Sequence, residues 1–100
     1  MSVTNLEPGP TIDSPLRLSS GEKRTIYYFT ELRGLDGRTI IHQWEWNSRV
    51  IHRRELHPHS QAWRAYSGLP ITGDTPGWWT VSAIDAKTGS VLAESRFEVE

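Results

Sequence analysis

The feature that most constrains the fold is a succession of short segments rich in β-branched and aromatic residues, separated by turn-forming residues at intervals of about ten. These segments predict strands at residues 25–32, 39–47, 49–56, 61–66 and 78–85, with a final strand ending at residue 99. No stretch has the apolar spacing of an amphipathic helix. The pattern therefore predicts an all-β fold, an antiparallel two-sheet β-sandwich of the immunoglobulin or fibronectin type III kind, with about seven strands.

Turn-forming sequences predict how these strands are connected. The Asp-Gly pair at residues 36–37 predicts a tight hairpin between the first two strands, because glycine accepts a positive φ. The Asn-Ser pair at residues 47–48 and the Lys-Thr-Gly sequence at residues 87–89 predict two further tight turns. Residues 67–77 are rich in glycine and proline and predict a long loop, the kind of segment that often carries functional residues.

Alternation within the strands separates a buried face from an exposed face. Trp44 and Trp79 are expected in the core, and since neighbouring strand residues point to opposite faces, Trp78 must then face outward. Trp46 and Trp63 each lie where buried and exposed positions both remain open. The predicted core face comprises Ile40, His42, Trp44, Trp46, Trp79, Val81, Ala83, Val91, Ala93, Phe97 and Val99.

Length and composition indicate one domain. The chain has 100 residues, a formal net charge of -1 and no cysteine, which excludes a disulfide framework and a thiolate metal site. The near-neutral charge predicts no nucleic-acid partner, and no apolar run is long enough to predict membrane insertion. Residues 1–21 are expected to form a lead-in or an edge strand near Leu16 and Leu18, in part disordered, before a single domain at residues 22–100.

Four segments of the chain resemble a bacterial family of uncharacterised domains. They are IYYFTELRG at residues 26–34, HQWEWN at residues 42–47, WRAYS at residues 63–67 and GWWTV at residues 77–81, and the similarity continues to residue 100. The resemblance implies a small β-sandwich attached to exported or membrane-anchored proteins, and it implies no catalytic residues. The chain departs from that family's pattern at residues 49–61, at residues 70–77 and at Trp78, where a specific function is expected to be encoded.

A small β-sandwich with five tryptophans is typical of a carbohydrate-binding module. An outward Trp78 predicts an aromatic platform for the pyranose rings of a β-glucan-type polysaccharide, with nearby polar side chains bonding the hydroxyls. The candidate ligand-binding residues are Trp78, Trp46, Trp63, Tyr66, Gln43, Glu45, Gln61 and Asp74. The alternative is an extracytoplasmic protein-interaction or spacer domain with no sugar ligand. No cofactor is expected, and a carbohydrate ligand would imply a secreted or periplasmic location.

Three other residue groups contain side chains with catalytic or metal-binding chemistry. His42, His52, His57 and His59 are imidazole donors, but without a recognised metal-binding spacing they predict no metal site. The arginine-rich residues 49–64 are compatible with contact to an anionic polymer, but they favour a solvated, charged sheet edge. This edge is the candidate contact for a protein partner. Glu31 and Glu45 face each other if the predicted hairpin forms, yet paired carboxylates without a walled pocket are typical of surface charges. Because no catalytic motif is present, we expect no enzyme activity.

Overall fold

A computed structural model describes residues 2–6, 16–19 and 21–100. The expectation of partial disorder concerns residues 1–21, of which residues 1, 7–15 and 20 lie outside the described residues. The described residues form seven strands: β1 (Ser2–Leu6), β2 (Lys23–Arg33), β3 (Ile40–Trp46), β4 (Arg49–Leu56), β5 (Ala62–Thr72), β6 (Gly77–Asp85) and β7 (Val91–Val99).

The strands form two antiparallel sheets, and the described residues contain no helix. The three-stranded sheet has the order β1-β2-β5, and the four-stranded sheet has the order β4-β3-β6-β7. Strands one, two and five in one sheet, with strands three, six and seven in the other, follow the immunoglobulin-like order. The predicted all-β sandwich is therefore confirmed, as is the edge position of β4.

The hydrophobic core lies between the two sheets and is dominated by aromatic rings. Trp44 is fully buried and Trp79 is 2% exposed, which confirms both as core residues. The Phe97 ring stacks on Trp79 with centroids 5.9 Å apart and meets Trp44 edge-on at 6.2 Å. Trp46 stacks on the other side of Trp79 at 6.3 Å and is only half-buried. These rings fix the spacing between the sheets at the end where β6 begins.

The predicted hairpin at residues 36–37 is wrong, because β2 and β3 belong to different sheets. The connection between them crosses the end of the sandwich and inserts Leu35, which is 1% exposed, into the core. Gly34 and Gly37 both have positive φ, at 67° and 81°, and allow the chain to change direction twice. The Asp-Gly pair therefore serves a sheet-to-sheet connection instead of a two-strand turn.

The long loop predicted at residues 67–77 is wrong over its first half, because β5 continues to Thr72. Pro70 is compatible with a strand here since β5 lies at a sheet edge, where a missing backbone N–H costs no ladder bond. Gly68 lies under the Tyr27 ring of β2, and a Cβ at residue 68 would lie 2.8 Å from Tyr27 Cε1. Both breaker residues thus have structural roles inside a strand.

The turn predictions at residues 47–48 and 87–89 are confirmed. Asn47 and Ser48 have φ values of 53° and 64°, as a two-residue hairpin with a right-handed twist requires, and Gly89 has a φ of 76°. The assignment of Val91 to the core face is wrong. The β6–β7 register shifts after Ala83, so that Val91 pairs with Ile84 on the outer face and is 57% exposed.

The first strand and the segment before β2 both join the sandwich. β1 pairs antiparallel with β2, with Val3 opposite Leu32. Leu16 makes a parallel bridge with Val99, and its backbone N–H donates to the Glu98 carbonyl at 2.8 Å. Leu18 is 8% exposed and packs in the core, so this segment seals the side of the sandwich along β7.

Candidate functional site

Trp78 lies at the start of β6 on the outer face of the four-stranded sheet. It is 60% exposed, whereas its neighbour Trp79 is buried, which confirms the predicted outward orientation. Gly77 precedes it with a φ of 109°, a conformation that a residue with a Cβ adopts with strain. Gly77 and Trp78 both line an open depression in the surface of the sheet.

This depression is a groove of about 580 Å³ on the outer face of the four-stranded sheet. It lies between the β3–β4 turn, the start of β6 and the middle of β7. Thr80 is paired with Glu45 on one side and with Arg96 on the other, so three polar side chains form a row across three strands beside Trp78. The groove is lined by Glu45, Trp46, Asn47, Ser48, Pro76, Gly77, Trp78, Thr80, Glu94 and Arg96.

Two buried or half-buried indoles hold one side of this groove in place. Trp46 Nε1–H donates to the Pro76 carbonyl at 3.0 Å, and Trp79 Nε1–H donates to the Thr75 carbonyl at 3.2 Å. Both donors belong to the stacked core rings, and both acceptors belong to the turn that precedes Trp78. The β5–β6 turn is therefore fixed to the core, and the position of Trp78 is fixed with it.

Glu45 contributes a carboxylate to the groove, and its orientation is set by a neighbouring strand residue. Gln43 Nε2 donates to Glu45 Oε1 at 2.6 Å, along the same face of β3. A carboxylate can accept several hydrogen bonds on its two oxygens, so Glu45 retains capacity for a hydroxyl donor. The β3–β4 register shifts between Trp44 and Glu45, and such a bulge redirects the side chains that follow it.

The structure brings some of the predicted site residues together and separates the others. Trp78, Trp46 and Glu45 line the groove, and Gln43 contacts Glu45. Asp74 is exposed in the neighbouring turn, where its backbone N–H donates to Thr72 Oγ1 at 3.3 Å, but it does not line the groove.

The expectation that Tyr66 and Trp63 lie within reach of Trp78 is wrong. Both belong to β5, in the opposite sheet. Trp63 lies at the far end of that strand, nine residues or about 30 Å from its end at Thr72. Gln61 lies at the same far end, where its carbonyl accepts from the Gly34 N–H at 2.8 Å. Gln61, Trp63 and Tyr66 are close to Trp78 in the sequence, but the extended length of β5 separates them from the groove.

The sequence interpretation missed five polar residues of the groove, which are Asn47, Ser48, Thr80, Glu94 and Arg96. Asn47 and Ser48 were assigned to a turn, and the outward orientation of Thr80 and Arg96 followed from alternation. The pairing that places Arg96 of β7 next to Thr80 of β6 could not be predicted, because the pattern of a single strand does not specify its register with the neighbouring strand.

A polar cluster lies fully buried between the sheets and consists of Thr30, His42, Trp44 and Ser67. His42 Nε2 lies 2.9 Å from Thr30 Oγ1, and His42 Nδ1 lies 2.8 Å from Ser67 Oγ. Trp44 Nε1–H donates to the same Ser67 oxygen at 3.0 Å. Burial, and secondarily the charge of Arg54, lower the pKa of His42 to about 4, so the ring is neutral. Neither the Ser67 nor the His42 side chain is exposed.

The remaining candidates for chemistry are dispersed in the structure. Glu31 lies in the three-stranded sheet and pairs with Arg33, so the predicted pairing of Glu31 with Glu45 is wrong. His57 lies 3.7 Å from Glu55, and His59 packs edge-on against the Trp63 ring. Within the described ranges, no group of three or more histidine, aspartate or glutamate side chains is placed to hold a metal ion.

The fold and the groove define a small antiparallel β-sandwich domain with one exposed tryptophan beside a row of polar side chains. The chain belongs to the family described as Protein of unknown function (DUF2914), which matches residues 37–99. The matched region includes the four-stranded sheet and the whole groove. The curated proteins contain no match to this chain. In the part of the chain that the structure describes, no helix has the length and apolar character needed to cross a membrane.

Proposed function

We propose that the domain is a non-catalytic carbohydrate-binding module that holds a neutral, β-glucan-type polysaccharide in the groove beside Trp78. The observation that carries the proposal is an indole 60% exposed at the edge of a groove whose other side chains are mostly polar. The C–H face of a pyranose ring packs on an indole, and the surrounding hydroxyls then need hydrogen-bond partners. Glu45, Thr80 and Arg96 provide acceptors and donors within the same groove.

The charges of the groove favour a neutral ligand. Its lining includes the carboxylates of Glu45 and Glu94 and the guanidinium of Arg96. An acidic sugar would bring a further negative charge next to two carboxylates, and like charges at short range are unfavourable. A neutral sugar accepts hydrogen bonds from Arg96 and donates hydrogen bonds to Glu45 without this cost.

Affinity electrophoresis and tryptophan fluorescence with soluble β-glucan, xyloglucan, xylan and mannan test this proposal. Wild-type protein is expected to be retarded by at least one neutral polymer, and Trp78→Ala is expected to abolish the retardation. Val91→Ala is the matched control, because Val91 is 57% exposed on the same sheet but lies at the other end of the β6–β7 pair. Binding that survives in Trp78→Ala, or no binding to any neutral polymer, would refute the proposal.

The stability of the same variant separates a binding role from a packing role. An exposed side chain that supports no core contact should change the free energy of unfolding by about 0.5 kcal/mol or less when truncated. Trp78→Ala is therefore expected to unfold at nearly the wild-type urea concentration. A large loss of stability would mean that Trp78 serves the fold, and the binding data would then need a different explanation.

The alternative function, an extracytoplasmic protein-interaction or spacer domain, is favoured by a different observation. Tyr27 and Tyr66 are 56% and 51% exposed on the three-stranded sheet, and aromatic residues with arginines are typical of protein interfaces. A mass that increases with protein concentration would support this alternative.

If the domain binds a polysaccharide, as first proposed, we expect it to belong to a secreted or a periplasmic protein.

A further inference from the structure

Three aromatic side chains lie together on the outer face of the three-stranded sheet, and we call them the three-ring patch: Tyr27, Phe29 and Tyr66. Phe29 and Tyr66 are opposite each other on β2 and β5, with ring centroids 5.7 Å apart and planes inclined by 28°. The Tyr27 ring lies 6.1 Å from Phe29 and 6.4 Å from Tyr66. This patch faces away from the groove beside Trp78, on the opposite side of the sandwich.

The packing of Tyr27 makes part of this patch a flat surface. Gly68 is paired with Tyr27 across the strands, and a Cβ at residue 68 would lie 2.8 Å from Cε1 and 2.9 Å from Cδ1 of the ring. The tyrosine ring therefore lies across the glycine backbone, with one face covered by the strand. Because Tyr27 is nevertheless 56% exposed, its other face is open to solvent.

The charges around the three-ring patch are predominantly positive. The Arg54 guanidinium reaches from β4 and lies 5.5 Å from the centroid of the Tyr66 ring. Arg64, two residues before Tyr66 on the same face of β5, has an 81% exposed side chain. Glu31 lies on this face too, but it is paired with Arg33 and lies 3.9 Å from Arg64. Three guanidinium groups thus accompany one carboxylate.

We propose that the three-ring patch is a second binding site, which takes an acidic polysaccharide of the uronic acid type. Aromatic faces pack against the C–H faces of sugar rings, and guanidinium groups bind carboxylates through paired hydrogen bonds. Arg54 and Arg64 give the three-ring patch an excess of positive charge, whereas the groove beside Trp78 has two carboxylates and one guanidinium. The two sites have opposite charge and lie on opposite sheets, so this inference stands independently of the proposed function.

Affinity electrophoresis of the full chain in polygalacturonate and in alginate tests the second site. Wild-type protein is expected to bind at least one of these polymers, and Tyr66→Ala is expected to weaken binding roughly tenfold. Arg54→Gln should weaken binding and reduce its dependence on ionic strength, because salt screens exposed charges. Arg49→Gln is the matched control, since Arg49 is an exposed arginine of the same edge strand that lies opposite Trp46, away from the rings.

Each result separates the second site from the groove. Uronate binding that is lost in Tyr66→Ala and retained in Trp78→Ala supports the three-ring patch. Uronate binding with the reverse dependence would place the ligand in the groove and overturn the inference. Equal binding by wild type and Tyr66→Ala would show general attraction of a polyanion to arginines and would overturn it too. Failure to bind either uronate, or a concentration-dependent mass that Tyr66→Ala abolishes, would assign this face to another role.

Discussion

Acidification from pH 7 to pH 5 is expected to remove about 2 kcal/mol from the free energy of unfolding through His42. The ring is buried beside Tyr28 and has a pKa of about 4, compared with 6.5 for an exposed histidine. In the unfolded chain it takes up a proton near pH 6.5, so the unfolded state binds more protons between these two values. The contribution is therefore complete above pH 6.5, falls as the pH decreases, and has lost about 3 kcal/mol at pH 4.

Urea unfolding at pH 7, 6 and 5, followed by tryptophan fluorescence, measures this loss in wild type and in His42→Gln. The variant should be less stable at pH 7, because Thr30 and Ser67 lose their hydrogen bonds to the imidazole. Its stability should fall about 2 kcal/mol less than that of the wild type on acidification. Comparing the two slopes removes the contributions of the other titrating groups. In wild type, the His42 ring proton resonances should titrate near pH 4. Equal slopes, or titration near pH 6.5, would refute the reasoning.

Three further outcomes concern stability. Ser67→Ala should cost about 2 to 5 kcal/mol in urea unfolding, since the indole N–H of Trp44 and a histidine nitrogen both lose their partner, and a cost below about 0.5 kcal/mol would contradict this. Gly73→Ala should lower the thermal midpoint, because its Cβ would lie 2.6 Å from the Leu18 carbonyl oxygen, and an unchanged midpoint would show that this contact relaxes freely. Asp85 accepts hydrogen bonds from the Lys87 backbone N–H and from the Arg38 guanidinium, and both lower the pKa of its carboxyl group. Asp85→Asn should therefore make the protein less stable at pH 7 and make its stability less sensitive to acid, which calorimetry at two pH values would measure.

The layer structure of this fold is predictable from the sequence, whereas the pairing of its strands is not. Alternation around Trp44 and Trp79 was sufficient to identify the core face, because a two-residue period follows directly from strand geometry. An Asp-Gly pair such as the one at residues 36–37 occurs both in hairpins and in connections between sheets, so the pair alone does not distinguish them. The burial of Leu35 distinguishes the two, and that burial depends on the opposite sheet. Pro70 likewise indicates a loop until the edge position of β5 is known.

In the candidate site too, the orientation of single residues is predictable from the sequence, whereas the pairing of strands is not. The exposure of Trp78 followed from the burial of Trp79, one residue away, and needed no tertiary information. The groove beside it required the β6–β7 register, which places Arg96 next to Thr80. The outward orientation of Tyr27 was implicit in the alternation of β2, but its contact with Gly68 depends on how β5 pairs with β2. Single residues were predictable, and neighbours from distant segments were not.

Two indole N–H groups donate hydrogen bonds to the Thr75 and Pro76 carbonyls, so one side of the groove is held directly by the side chains of the hydrophobic core. A ligand of the proposed kind would meet a surface whose shape is set before contact, so little conformational entropy would be lost on binding. The same coupling works in the other direction. Trp79 does not line the groove, so a change to its stacking would alter the groove without replacing any residue of the lining, and the affinity of the proposed site would then depend on the packing of the interior.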